Sequence, residues 1–176
     1  MLLALCSGQR CQTLAAIKIS QISLTSEKIF IRVTDRLKTS APGRSQPLLS
    51  FSRFSGHDNL CFISDYLERT ASLRPEGCDS LFISLKRPFG RVGSQTISRW
   101  IRSVFAICGV DSSFTAHSTR HASTSLAAKQ GVPVDLIKRA AGWSGESRIF
   151  ANFYNRPIID SDVFANSILS ASTSSA

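Results

Sequence analysis

His117 and Arg120 stand three residues apart in the run His117-Ser118-Thr119-Arg120-His121, the spacing of one helical face. Both side chains can hold a phosphate oxygen, the arginine through two parallel N–H donors. Downstream, Ala141-Gly142-Trp143-Ser144 offers an indole N–H after a glycine-bounded turn, and Phe153-Tyr154 brings a phenolic hydroxyl one short helix later. Two phosphate ligands, an indole donor and a phenol together point to one reaction class, attack of a tyrosine on a phosphodiester. The bland alternative is a histidine capping its own helix beside a surface arginine. Even that arrangement suits an anion, because a helix N-terminus carries free N–H groups and the positive end of a dipole.

These residues belong to a longer ordered set. The run from His117 to His121, then Leu126-Ala127 and Gly131-Val132, then Gly142-Trp143-Ser144 and Tyr154, resembles the C-terminal half of the tyrosine recombinases of the phage integrase family. Gly8-Gln9-Arg10 followed by Leu14 resembles the family's first-arginine motif, and Lys38-Thr39, after the apolar-polar run from Ile29 to Val33, resembles the lysine of its β-hairpin turn. The order Arg10, Lys38, His117, Arg120, Trp143, Tyr154 is the family's order, and the wording His-Ser-Thr-Arg-His-Ala-Ser-Thr-Ser with Gly-Trp-Ser is similar to recombinases of eukaryotic mobile elements. Two departures stand out. Thr13 occupies a place where the family often has an acidic residue that helps hold the first arginine, and the interval from Trp143 to Tyr154 is slightly longer than usual.

The resemblance implies a role for each of these residues. Tyr154 is the nucleophile, forming a 3′-phosphotyrosyl link and freeing a 5′-hydroxyl. Arg10, His117 and Arg120 stabilise charge on the non-bridging oxygens, and Trp143 assists by donating its indole N–H. Lys38 is the general acid for the leaving oxygen, although Lys28, Arg36 and Arg44 lie near enough to compete for that assignment. The only other tyrosine, Tyr66, follows Phe62 by one turn and reads as core, and His121 reads as structural. The resemblance further implies double-stranded DNA as substrate, no cofactor, and a homotetramer on DNA in which 158–169 is the candidate segment for packing against a neighbour. The expected compartment is intracellular: the nucleus of a eukaryote, or the cytoplasm or nucleoid of a prokaryote.

Bulk properties agree with a single basic domain. A chain of 176 residues can bury a sizeable core. The net charge of +9 is spread along the sequence, with no long run of one sign, which suits a polyanion contacting the domain broadly. The five cysteines show no Cys-x-x-Cys spacing and read as buried thiols. His117 and His121 have the i, i+4 spacing of a metal pair, but a catalytic zinc takes three protein ligands and no third is evident. No apolar run approaches the length of a membrane span. The apolar start Met1–Cys6 lacks a basic leader and is soon interrupted by Arg10, so it reads as the buried face of a helix carrying that arginine rather than as a signal peptide.

The elements that must position the site follow from periodicity. The segment 2–16 reads as one helix, and 21–24, 28–33 and 46–51 as three short strands, with 35–45 a loop between the last two. Helices are expected over 58–71, 94–108, 118–130 and 133–142, closed by Gly109, Gly131 and Gly142 where glycine permits the left-handed stop. One more is expected over 146–154. Pro88-Phe89-Gly90 is a turn, and the Ser/Ala-rich tail from Ser170 reads as disordered. The predicted fold is therefore mainly α with a small three-stranded antiparallel sheet (α+β), and the resemblance makes it the DNA breaking-rejoining catalytic fold. Residues 1–157 are expected to form an N-terminally truncated catalytic domain and 158–176 a C-terminal segment. Two rival functions remain open: an inactive DNA-binding remnant of a mobile element, and a type IB topoisomerase-like enzyme.

Overall fold

The computed structural model describes residues 1–25, 27–34, 48–52 and 59–143. The sheet is built from β1 (Ile22–Leu24), β2 (Lys28–Arg32) and β3 (Leu48–Ser52) in the order β1-β2-β3, with both pairs antiparallel. Ile29 pairs with Leu24 and Phe51, and Ile31 with Ile22 and Leu49. Alternation along β2 sends Ile29 and Ile31 into the core, both 0% exposed, while Lys28 and Arg32 face out. The period of two puts Ile29 and Ile31 on the buried face and Phe30, half-buried, on the other, which makes a half-buried sheet. The helices are α1 (Leu2–Ser7), α2 (Cys11–Ala15), α3 (Asn59–Thr70), α4 (Ser94–Ile107), α5 (Ser118–Lys129) and α6 (Val134–Ala141).

The core joins the sheet to the helices. Leu14 and Ile17 from the chain around α2, Ile63 from α3, and Ile97 and Ile101 from α4 meet the buried face of β2 and β3. Ile97 and Ile101 are four apart, so α4 presents one apolar stripe inward. A crossing segment completes this side. Leu81 N–H donates to Ile17 O at 2.9 Å and Ile19 N–H to Asp79 O at 2.7 Å, which ties the strand-like stretch after α3 to the chain entering β1. Tyr66 lies in this layer. Its hydroxyl accepts from Ile83 N–H at 3.2 Å and its ring packs on Phe82, so it serves structure, as the sequence suggests. Beyond the core, α2 packs on α4, α1 on α5 and α5 on α6.

Most expected elements are present with ends shifted by one or two residues, but three expectations fail. The segment 2–16 is two short helices, because Gly8 adopts φ +59° and ends α1 with its N–H returned to Ala4 O. Arg10 consequently sits at the N-cap of α2, in extended backbone, rather than within a helix. The apolar start is only partly a buried face: Ala4 is buried, whereas Met1 and Leu2 are exposed. The reading of the cysteines as buried thiols is also wrong for Cys6 and Cys108, which are exposed, while Cys11 and Cys78 are half-buried. Small side chains at helix ends are covered only if another element happens to lie over them, which composition does not reveal. The loop 35–45, the helix expected over 146–154 and the segment 158–176 lie outside the described residues.

Candidate active site

The turn between α1 and α2 carries Arg10, and its conformation follows from its residues. Glycine enters the left-handed region without the steric penalty of a Cβ, and Gly8 does so while touching α5 and α6. A Cβ there would lie 3.6 Å from Thr124 Cγ2 and 3.7 Å from Ala141 Cβ, ordinary contact distances. Gln9 is buried and Arg10 half-buried. Arg10 then lines a cleft of about 410 Å³ whose other walls come from the first turns of α4 (Ser94, Gln95, Ser98) and from Thr115–His117.

His117 occupies the N-cap position of α5, but its side chain does not cap the helix. Thr115 and Ser118 fix the turn instead, with Thr115 N–H donating to Ser118 Oγ at 3.1 Å and His117 N–H to Thr115 Oγ1 at 3.3 Å. This leaves the imidazole on the cleft wall, edge-on to His121 with ring centroids 5.4 Å apart. Partial desolvation, followed by the nearby His121, Arg120 and Arg10, pushes its pKa below the ordinary histidine value of 6.5. A ring surrounded by like charge holds a proton poorly until an anion arrives.

Arg120 is fully buried, at 0% exposure, and so is not the surface arginine of the bland alternative. Its Nη1 donates to Gly8 O at 2.5 Å and to Ala141 O at 2.6 Å. The guanidinium lies over the indole of Trp143, 3.7 Å from the ring centroid. A buried cation is tolerated where dipoles and a π face replace water. Trp143 is half-buried, follows the left-handed Gly142 that ends α6, and packs against Ile137, which Ala127, Ala128 and Val132 also cover. Arg120 and Trp143 do not line the cleft. Arg120 connects to it through the backbone of Gly8, two residues before Arg10.

Thus Arg10, His117, Arg120 and Trp143 come together from three separate stretches of chain, the Gly8–Arg10 turn, the start of α5 and the end of α6, with Arg10 and His117 on the cleft and Arg120 and Trp143 behind the turn. Lys38 and Tyr154 lie outside the described residues. Sequence reasoning missed Gln9, Ser94, Gln95, Ser98 and Thr115, all of which line the cleft. Gln9 alone left a signal, being a polar residue enclosed between Gly8 and Arg10.

Residues 1–157 match the phage integrase family. The chain belongs to that family. No curated protein sequence matches it. Among solved structures it is similar to the XerA recombinase, with a TM-score of 0.67 at 22% identity over 95% of this chain and 54% of that one. It is similar to the XerH site-specific recombinase bound to difH substrate, with a TM-score of 0.66 at 14% identity over 94% of this chain and 44% of that one. It is also similar to the Tn1549 transposon integrase in complex with circular intermediate DNA, with a TM-score of 0.63 at 13% identity over 94% of this chain and 55% of that one. The chain spans about half the length of these structures, and at such identities they establish the tyrosine recombinase catalytic fold for this phage integrase family member. Among the described residues no helix is long and apolar enough to cross a membrane.

Proposed function

We propose that this chain is the catalytic part of a tyrosine recombinase that cuts and rejoins double-stranded DNA at specific sites, with residues 1–157 as the catalytic domain. The observation that carries the reading is the cleft shared by Arg10 and His117, whose walls bring a guanidinium, an imidazole and the hydroxyls of Ser94, Ser98 and Thr115 together. The His117 pKa is lowered first by desolvation and then by His121, Arg120 and Arg10, and that cluster of like charge around the cleft suits an anion. Charge developing on the non-bridging oxygens is met by Arg10 and His117 directly, and by Arg120 from behind the Gly8 turn. Trp143 holds Arg120 in place through its ring face and supports the same wall. In this reading Tyr154 attacks the scissile phosphorus in line, its phenolic proton passes to water, and the bond to the 5′-oxygen breaks as Lys38 protonates that oxygen. The phosphotyrosyl ester conserves the energy of the phosphodiester, so rejoining is the reverse step. The basic surface suits the duplex, and the protein acts on DNA as a homotetramer, with 158–169 reaching a neighbour.

The test is covalent attachment to nicked duplexes drawn from a random-sequence pool, in which loss of a short fragment traps the intermediate. The expected product is protein joined to a 3′-phosphate. Tyr154→Phe is expected to abolish attachment and spare DNA binding. Attachment that survives in Tyr154→Phe, or that maps to Tyr66, would overturn the assignment. DNA binding with no attachment by the unsubstituted chain would favour a DNA-binding remnant.

A further inference from the structure

The C-terminal end of α6 is held by side chains from far away in the sequence. A helix leaves its last carbonyls without intrahelical donors. At α6 the left-handed Gly142 returns its own N–H to Arg139 O at 3.1 Å, and the N–H of Trp143 to Lys138 O at 2.8 Å. The next carbonyl, Ala140 O, accepts from Gln9 Nε2 at 2.6 Å, a bond between residues 131 apart. Ala141 O accepts from Arg120. Gln9 is 4% exposed, and its own N–H donates to Ser7 Oγ at 3.2 Å. The bond therefore joins the residue before Arg10 to the carbonyl three residues before Trp143. A leucine or methionine would fill the same space around Gln9 but remove this donor from Ala140 O.

We propose that Gln9 is a positioning residue for strand cleavage: its amide clamps the end of α6 to the Gly8–Arg10 turn, and so fixes Trp143 and Arg120 relative to Arg10 and His117. The proposal rests on the recombinase reading above. Apolar packing alone would let the end of α6 slide along the turn. A directional bond at each of two successive carbonyls does not.

Two substitutions separate the clamp from mere filling of space. Gln9→Met keeps the volume and removes the donor. Gln9→Glu opposes an acceptor to Ala140 O at neutral pH and regains an O–H donor when protonated, near or above the ordinary glutamate range because the site is buried. Trp100→Phe, made throughout, leaves Trp143 as the single tryptophan of the two in the chain, so its emission reports on the end of α6 without any DNA. Attachment to the nicked duplexes is measured in a single turnover at saturating protein, and DNA affinity is measured separately. Gln9→Met is expected to shift Trp143 emission and slow attachment by about 10- to 100-fold, the loss typical of a misplaced reacting group. Its affinity should change by no more than about twofold, since a positioning defect appears in the rate rather than in binding. Gln9→Glu should resemble Gln9→Met at neutral pH and regain the unsubstituted emission as pH falls towards about 5. Unchanged emission in both variants, an unchanged rate in Gln9→Met, or absence of recovery in Gln9→Glu would overturn the clamp. If the unsubstituted chain attaches to no duplex while its emission still responds to Gln9 as described, the recombinase reading falls and the clamp stands.

Discussion

The contact between Arg120 and Trp143 allows a stability prediction worked from the structure. Trp143→Leu keeps an apolar side chain against Ile137 but removes the π face that lies 3.7 Å from the buried guanidinium. A desolvated cation over an indole contributes about 2 kcal/mol. The smaller side chain also leaves part of the indole volume unfilled, which costs about 1 kcal/mol at a half-buried site. The sum, about 3 kcal/mol, is a large share of the roughly 5–15 kcal/mol available to a domain. With a urea dependence of about 2 kcal/mol per molar, the midpoint should fall by about 1.5 M.

A double-mutant cycle isolates the pair. Arg120→Met removes the cation and leaves Gly8 O and Ala141 O without the donors they now have. Its own cost is a difference between lost hydrogen bonds and a relieved buried charge, and the cycle cancels that difference. The coupling energy between Trp143→Leu and Arg120→Met should be about 2 kcal/mol by equilibrium urea unfolding. Additivity within about 0.5 kcal/mol, the scatter seen for independent sites, would refute the claim that Trp143 stabilises the buried arginine through its ring.

Four further outcomes are expected. Because the pKa of His117 is depressed in the folded chain, the unfolded state binds more protons. Stability should thus be highest above pH 6.5 and fall as pH drops through and below that value, and His117→Gln should flatten this segment of a urea-midpoint profile against pH. A DNA phosphate in the cleft reverses the charge environment set by Arg10, Arg120 and His121. Binding should therefore take up protons near neutrality and weaken as pH rises, and calorimetry in buffers of different ionisation heat that detects no uptake would exclude a phosphate at His117. Gly8→Ala meets no steric block, so its cost should be the left-handed backbone alone, about 1–2 kcal/mol by urea unfolding. Lys38→Ala should slow cleavage by about 10²- to 10⁴-fold and recover on a duplex whose leaving 5′-oxygen is sulfur, since a thiolate leaves without an acid; no recovery would remove Lys38 as the acid.

The sequence was most legible where one local rule decided the outcome. Alternation at Ile29 and Ile31 marked the sheet, and glycine stops at Gly131 and Gly142 marked two helix ends to within a residue or two. Legibility failed where an energy came from chain distant in sequence. The run 2–16 has helical composition throughout, and what breaks it is one left-handed residue whose carbonyl is held by Arg120. The same turn changes the meaning of the His117/Arg120 pair. Spacing alone places both on one helical face offered to a ligand, yet only the histidine lines the cleft, while the arginine is drawn inward by Gly8 O and Ala141 O. Those acceptors exist only because a helix C-terminus leaves carbonyls open and because Gly8 takes the left-handed conformation that ends α1 there. The site is therefore assembled by the ends of elements rather than by their regular interiors. The perturbations that should matter most are those at Gly8, Gln9 and Gly142, which supply no chemistry themselves but set the distance between the residues that do.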